Sequence, residues 1–190
     1  MTTPETSTAQ PSSDNVARAL AAPPPRRSSY TARQKLIRLL WGTVGRALWV
    51  IGIRAPVLRL FGGRIGKGCR LARSARITIP STVTIGDGVV LGERSIVYSL
   101  GEITIGDRVV LDFRAHLCAG THDMSDPRFP LVKPPIEIGA ASFIGMDAYV
   151  GPGVVLGARC VVGARASVFK SFPDDTALSG NPARPVRDER

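Results

Sequence analysis

From residue 65 onward the chain repeats itself every six residues. Aliphatic side chains stand at Ile65, Leu71 and Ile77; at Ile85, Leu91 and Val97; at Ile105, Leu111 and Leu117; and at Ile138, Ile144, Val150, Leu156, Val162 and Val168. The step is six within each group and eight between the first three groups. Glycine follows nine of these fifteen positions, and the residue two before each is small or apolar. Helices repeat at about 3.6 residues and strands at about 2, so neither explains why every sixth residue is aliphatic and its successor so often glycine. A three-cornered coil explains both. Each short strand contributes one inward aliphatic, a small residue fits the inner side near a corner, and glycine permits the corner's backbone angles. Eighteen residues then close one turn, and stacked turns pair strand on strand at about 4.8 Å. The additions at Ser81–Val83 and Gly101–Ile103 become corner bulges. The reading is an all-β chain: a parallel β-helix of about five coils over residues 63–172.

The flanks read differently. Residues 1–29 are rich in Ser, Thr, Pro and Ala and end in Pro23-Pro24-Pro25-Arg26-Arg27, a composition that reads as a disordered N-terminal tail. Residues 30–62 read as a helical arm. Thr31 and Gln34 have capping-box spacing. Leu36, Ile37, Leu40, Val44, Ala47, Leu48 and Ile51 share one side, with Lys35, Arg38 and Arg46 opposite. Gly52 sits where a C-cap would, and a second short helix runs from Pro56 toward Gly62-Gly63. Two readings of the arm stand side by side: it caps one end of the coil, or it lies on an anionic membrane surface. Residues 173–190 read as a C-terminal closing segment.

The net charge of +10 is uneven. Residues 1–64 carry ten Lys and Arg against Glu5 and Asp14, so the excess sits in the N-terminal part and not in the repeat. With 6% aromatic residues as well, nucleic-acid binding is not expected. Leu36–Phe61 is broken by Arg38, Arg46, Arg54 and Arg59, leaving no run of the roughly 20 apolar residues a membrane span needs. Met1–Ala22 lacks the apolar stretch of a signal peptide. Cys69, Cys118 and Cys160 are odd in number and widely spaced, so neither a disulfide framework nor a thiolate metal site is indicated. A cytoplasmic protein is the expectation.

The coil is interrupted once. Leu117 and Ile138 are 21 residues apart where six would suffice, leaving an inserted loop over 119–136. A long loop on a regular solenoid usually has a task. It carries His122, one of two histidines in the chain. Imidazole titrates near neutrality, so His122 is the natural general base. Asp123 is adjacent and could orient the ring, as could Asp107, Asp112 or Asp126. The bland alternative is a solvated loop histidine. His116 lies one place before inward Leu117, points outward, and reads as structure or interface. Tyr98 stands where a corner glycine is expected and is a candidate to flank a substrate. Two histidines are too few for a three-histidine zinc site, and no metal is expected.

Four stretches carry a resemblance. They are Leu58-Arg59-Leu60-Phe61-Gly62-Gly63-Arg64-Ile65-Gly66, Leu117-Cys118-Ala119-Gly120-Thr121-His122-Asp123, Asp147-Ala148-Tyr149-Val150-Gly151-Pro152-Gly153-Val154, and Ser179-Gly180-Asn181-Pro182-Ala183-Arg184-Pro185-Val186. With the six-residue repeat, they resemble the hexapeptide-repeat acyltransferases, in particular sugar O-acetyltransferases of the colanic-acid-biosynthesis type. The resemblance spans about residues 30–187. It implies a left-handed coil, acetyl-CoA as co-substrate, a homotrimer with the site between subunits, and a sugar or lipid-linked saccharide acceptor. It implies that His122 is catalytic, that Met146 and Ala164 contact the cofactor, and that Lys170 and Arg184 hold its phosphates. Phe169 stands where related enzymes often have Thr, and Asp112 and Phe113 depart from the usual corner pattern. The rivals are a zinc-dependent carbonic anhydrase on the same coil and a non-catalytic β-helix scaffold.

Overall fold

Three aliphatic columns organise the coil, and each is built by strands stacking in parallel register. The computed structural model describes residues 36–37 and 39–186; the expectations for residues 1–29, for Thr31, Gln34, Lys35 and Arg38, and for residues 187–190 lie outside them. On the first face Ile65, Ile85, Ile105, Ile138 and Leu156 stack as register partners. On the second the column is Leu71, Leu91, Leu111, Ile144, Val162 and Leu178. On the third it is Ile77, Val97, Leu117, Val150 and Val168. Every predicted inward position is buried, and all but Cys69 of the small or apolar residues quoted two places earlier, such as Ala75, Ser95, Ala115, Ala148 and Ala166, are buried as well. The fold is a parallel β-helix, and its core is this continuous stack of side chains.

The coil count is slightly larger than expected. Five full turns are followed by part of a sixth. Phe172 bridges Leu156 on the first face, Ala177–Ser179 pairs with Val161–Val162 on the second, and Arg184–Pro185 closes antiparallel on Ser179. The closing segment therefore continues the coil. The bulge at the first addition is a short 3₁₀ turn, Pro80–Thr82.

Glycine has a different role from the one the repeat suggested. The glycines after the aliphatic residues are not in the left-handed region; the turn above leaves them no room for a side chain. A Cβ on Gly66 would lie 2.6 Å from the Gly86 backbone, and one on Gly139 would lie 2.3 Å from Gly157. Aspartates of the next turn fill the same corner: Asp87 Oδ1 accepts Lys67 N–H at 2.6 Å and Asp107 Oδ1 accepts Asp87 N–H at 2.8 Å. A left-handed corner lies three residues before most of the inward aliphatics. There it is taken by Gly68, Gly88 and Gly153 but also by Arg94, Arg108, Arg114, Arg159 and Arg165.

The arm caps the first turn with its tryptophans. Trp41, Gly45 and Trp49 face inward and are buried, together with Val57 and Leu58. Trp41 Nε1–H donates to the Ile77 carbonyl at 2.9 Å, and its ring meets Trp49 and Phe61 edge-on. A wide π-helical turn, Trp41–Gly45, leads into the helix Arg46–Val50. Gly45 has no Cβ because the Trp41 ring would meet one at 2.5 Å. Leu36, Leu40, Val44 and Ile51, from the apolar side read in the sequence, are exposed. The two tryptophans bury more area than they do, and Trp41 offers an N–H that finds a carbonyl, so they decide the helix's rotation. Gly52 ends this helix at φ 107, and the second helix, Arg54–Leu60, stops at Gly62, as expected.

Residues His122–Val132 form a unit of their own, apart from the coil unit Tyr30–Thr121 with Lys133–Arg190. The chain leaves the coil after His116–Cys118 and rejoins it at Ile136–Ile138.

Candidate active site

The loop unit is built to hold one imidazole. Thr121–His122 and Leu131–Val132 pair as a two-stranded ribbon, and Asp123 N–H donates to the Pro130 carbonyl at 3.0 Å. Between them, Asp126 Oδ1 accepts Arg128 N–H and its Oδ2 pairs with the Arg128 guanidinium at 2.8 Å, closing a turn. Phe129 follows with φ 46, a left-handed conformation uncommon for a bulky residue. Its carbonyl lies 2.6 Å from His122 Nδ1. A carbonyl only accepts, so Nδ1 carries the proton and Nε2 keeps its lone pair. His122 is exposed. The arrangement presents a basic nitrogen with its tautomer set.

Asp123 does not orient this ring. Its Oδ1 accepts the N–H and Oγ–H of Ser125 at 2.9 and 2.6 Å, and those bonds hold its carboxyl below the usual range. The other aspartates are occupied too: Asp126 with Arg128, Asp112 with Phe113 N–H, and Asp107 with Asp87 N–H. The orienting group is a main-chain carbonyl. Residue identity does not announce such a group; only the turn that aims it would have.

The third face of the coil carries an outward aromatic column. His116 stands between Tyr98 and Tyr149, edge-on to both at 6.4 and 5.5 Å, and Tyr149 meets Phe169 at 5.7 Å. Burial lowers the pKa of His116, keeping it neutral, and its Nε2 is enclosed without a partner among the described residues. Burial, with Cys118 beside it, raises the Tyr149 hydroxyl pKa. Tyr98 is exposed at the end of this column. The sequence reading treated Tyr98, His116 and Phe169 singly. Their spacings of 18 to 33 residues join them only once the register is known.

The four candidate cofactor residues are exposed and lie along the later turns and tail. Met146 and Ala164 occupy matching corners of successive turns, where Arg165 N–H donates to the Met146 carbonyl at 2.8 Å. Lys170 follows the last strand of the third face, Ser167–Val168. The tail docks on that strand: Ser167 N–H donates to Gly180 O and Ala183 N–H to Ser167 O, beside the cis Asn181-Pro182 bond, and this positions Arg184. Two of the four, Lys170 and Arg184, are exposed cations. Among the described residues no group of three or more His, Cys, Asp and Glu is gathered that could hold a metal ion.

The bacterial transferase hexapeptide model (six repeats) matches residues 135–170, and that of the hexapeptide repeat of succinyl-transferase matches residues 82–112. Over 135 residues the chain is 44% identical to the Escherichia coli (strain K12) protein WcaF, named for an acetyltransferase of colanic acid biosynthesis; the match spans 71% of this chain and 74% of that protein. The chain belongs to the hexapeptide-repeat acetyltransferases. Two solved structures share the fold. A hexapeptide-repeat acetyltransferase of Vibrio cholerae O1 biovar eltor, solved with acetyl coenzyme A, superposes with a TM-score of 0.76 at 24% identity, covering 87% of this chain and 93% of that one. A galactoside acetyltransferase solved with coenzyme A gives 0.76 at 20% identity, covering 86% of each. In this acetyltransferase the main chain of the inserted loop sets the tautomer of His122.

Proposed function

We propose that the protein moves an acetyl group from acetyl-CoA to a sugar hydroxyl during glycan assembly, with His122 as general base. The observation that carries this reading is the hydrogen bond from His122 Nδ1 to the Phe129 carbonyl, which leaves Nε2 free to take a proton. The acetyl-CoA and CoA complexes of fold neighbours support the donor, and the naming of WcaF for colanic acid biosynthesis and of galactoside and maltose acetyltransferases supports a sugar acceptor.

The step balances without a further reactant. His122 Nε2 takes the acceptor's hydroxyl proton as the oxygen attacks the thioester carbonyl. The carbon–sulfur bond breaks as the tetrahedral intermediate collapses, and the imidazolium returns the proton to the departing thiolate. Met146 and Ala164 line the pantetheine arm, and Lys170 and Arg184 take the nucleotide phosphates. Tyr98 flanks the acceptor. A homotrimer supplies the second wall of the site. In the cytoplasm the arm's exposed apolar residues and the basic N-terminal sequence reach a lipid-linked acceptor at the membrane face.

The test is thiol release from acetyl-CoA against a panel of nucleotide sugars and lipid-linked saccharides. Acceptor-dependent release supports the reading, and its absence across the panel removes it. Mass in solution tests the assembly: three chains are expected, and a fully active monomer overturns a shared site.

A further inference from the structure

Within the coil unit, a cavity of about 600 Å³ opens on the outer side of the third face, where it meets the arm. Four arginines line it. Arg46 comes from the arm, Arg76 from the first turn, Arg94 from the second and Arg114 from the third. Arg94 and Arg114 occupy the same corner of successive turns, both in the left-handed region at φ 57. Both guanidinium groups approach the Phe113 ring, at 5.8 and 5.9 Å. Arg46 Nη1 donates to the Ala75 carbonyl at 3.4 Å, which fixes it beside them. One carboxylate lines the cavity, Asp147, and Arg114 holds it at 2.8 Å. His116 lines the cavity too and is neutral.

The cavity is therefore left with an excess of three positive charges. Like charges drawn into a concave site raise its potential and concentrate anions there. A single carboxylate ligand would offset one of the three. A diphosphate ester carries two negative charges and several oxygens for the planar guanidinium forks, and the volume holds more than a lone phosphate.

We propose that this cavity binds the diphosphate of the acetyl acceptor, a saccharide joined through diphosphate to a nucleoside or to a lipid. Its role rests on the sugar-acceptor reading above, while the binding itself does not. The site differs from the Lys170 and Arg184 positions assigned to CoA, so the two anions are held separately.

The experiment is calorimetric titration of inorganic pyrophosphate into the full chain saturated with CoA. One site per chain is expected, weakening as salt rises. Arg76→Gln with Arg94→Gln should weaken it at least tenfold, and Lys170→Gln should not. Arg94→Gly removes the guanidinium while relieving the left-handed backbone, so its loss of binding cannot be a loss of fold. Competition by a uridine diphosphate sugar, or by a short-chain prenyl diphosphate saccharide, supports the proposal and identifies the source. Pyrophosphate binding that neither displaces marks an adventitious ion only and overturns it. No binding, or equal affinity in the arginine variants, also overturns it. If no acceptor in the thiol-release panel responds while pyrophosphate still depends on Arg76 and Arg94, the acetylation reading fails and the anion site stands.

Discussion

A base needs a lone pair held in place, and one hydrogen bond to a carbonyl does this for His122. His122→Ala should lower kcat about 10²–10⁴-fold and leave CoA affinity nearly unchanged, as read by steady-state thiol release and by CoA titration. Because the Asp123 carboxylate serves Ser125 and not the ring, Asp123→Ala should cost less than about tenfold in kcat in the same assay. An Asp123→Ala loss as large as that of His122→Ala would restore the carboxylate as the orienting group. The second histidine bears on stability. Burial lowers the pKa of His116 from 6.5, so the unfolded chain takes up a proton there before the folded chain does. The stability that neutral, buried His116 contributes is complete above about pH 6.5 and falls as pH drops through that value toward the lower folded pKa. The urea midpoint of the wild type should therefore fall more steeply between about pH 7 and about pH 5 than that of His116→Gln. Parallel curves would remove His116 from the acid response.

At the scale of the element, glycine does two different jobs in the coil, and substitution should separate them. At Gly139 a Cβ would meet the Gly157 carbonyl carbon at 2.3 Å and Ala158 N at 2.4 Å, so the turns must part to admit it. At Gly68 there is open space, but φ is +67. Gly68→Ala should cost roughly 1–2 kcal/mol, the penalty of left-handed backbone. Gly139→Ala should cost about 3 kcal/mol or more, since backbone cannot yield as a side chain does. Chemical denaturation of both variants checks the order; equal costs would mean that the turns can slide. The corners occupied by arginine show that the coil tolerates left-handed residues other than glycine, with the long side chain lying outside. That tolerance lets Arg94 and Arg114 stand at the same corner of successive turns.

For the whole molecule, the arm faces two ways. Trp41 and Trp49 close the first turn, while Leu36, Leu39, Leu40, Val44, Ile51 and Leu60 remain exposed. Deleting the arm would open the core, so substitution on the outer side is the better probe. Leu40→Ser, Val44→Ser and Ile51→Ser together should reduce sedimentation with anionic vesicles at least tenfold at unchanged thermal stability. Unchanged sedimentation would leave these residues without a lipid role. No described helix is long and apolar enough to cross a membrane. The three buried columns could be read directly from the sequence, because the repeat of six gives each short strand one inward aliphatic and each turn buries the same positions as the last. The histidine loop was legible as a break in that repeat. The glycine contacts, the rotation of the arm, the carbonyl on His122 and the gathering of four arginines were not. The glycine contacts and the arginines depend on which atoms of successive turns, or of a helix set by its docking, come within a few ångströms, and the carbonyl on His122 on how its own loop turns back seven residues later. Spacing along a chain records what each residue needs of its own backbone; only the packed structure decides which neighbours meet it.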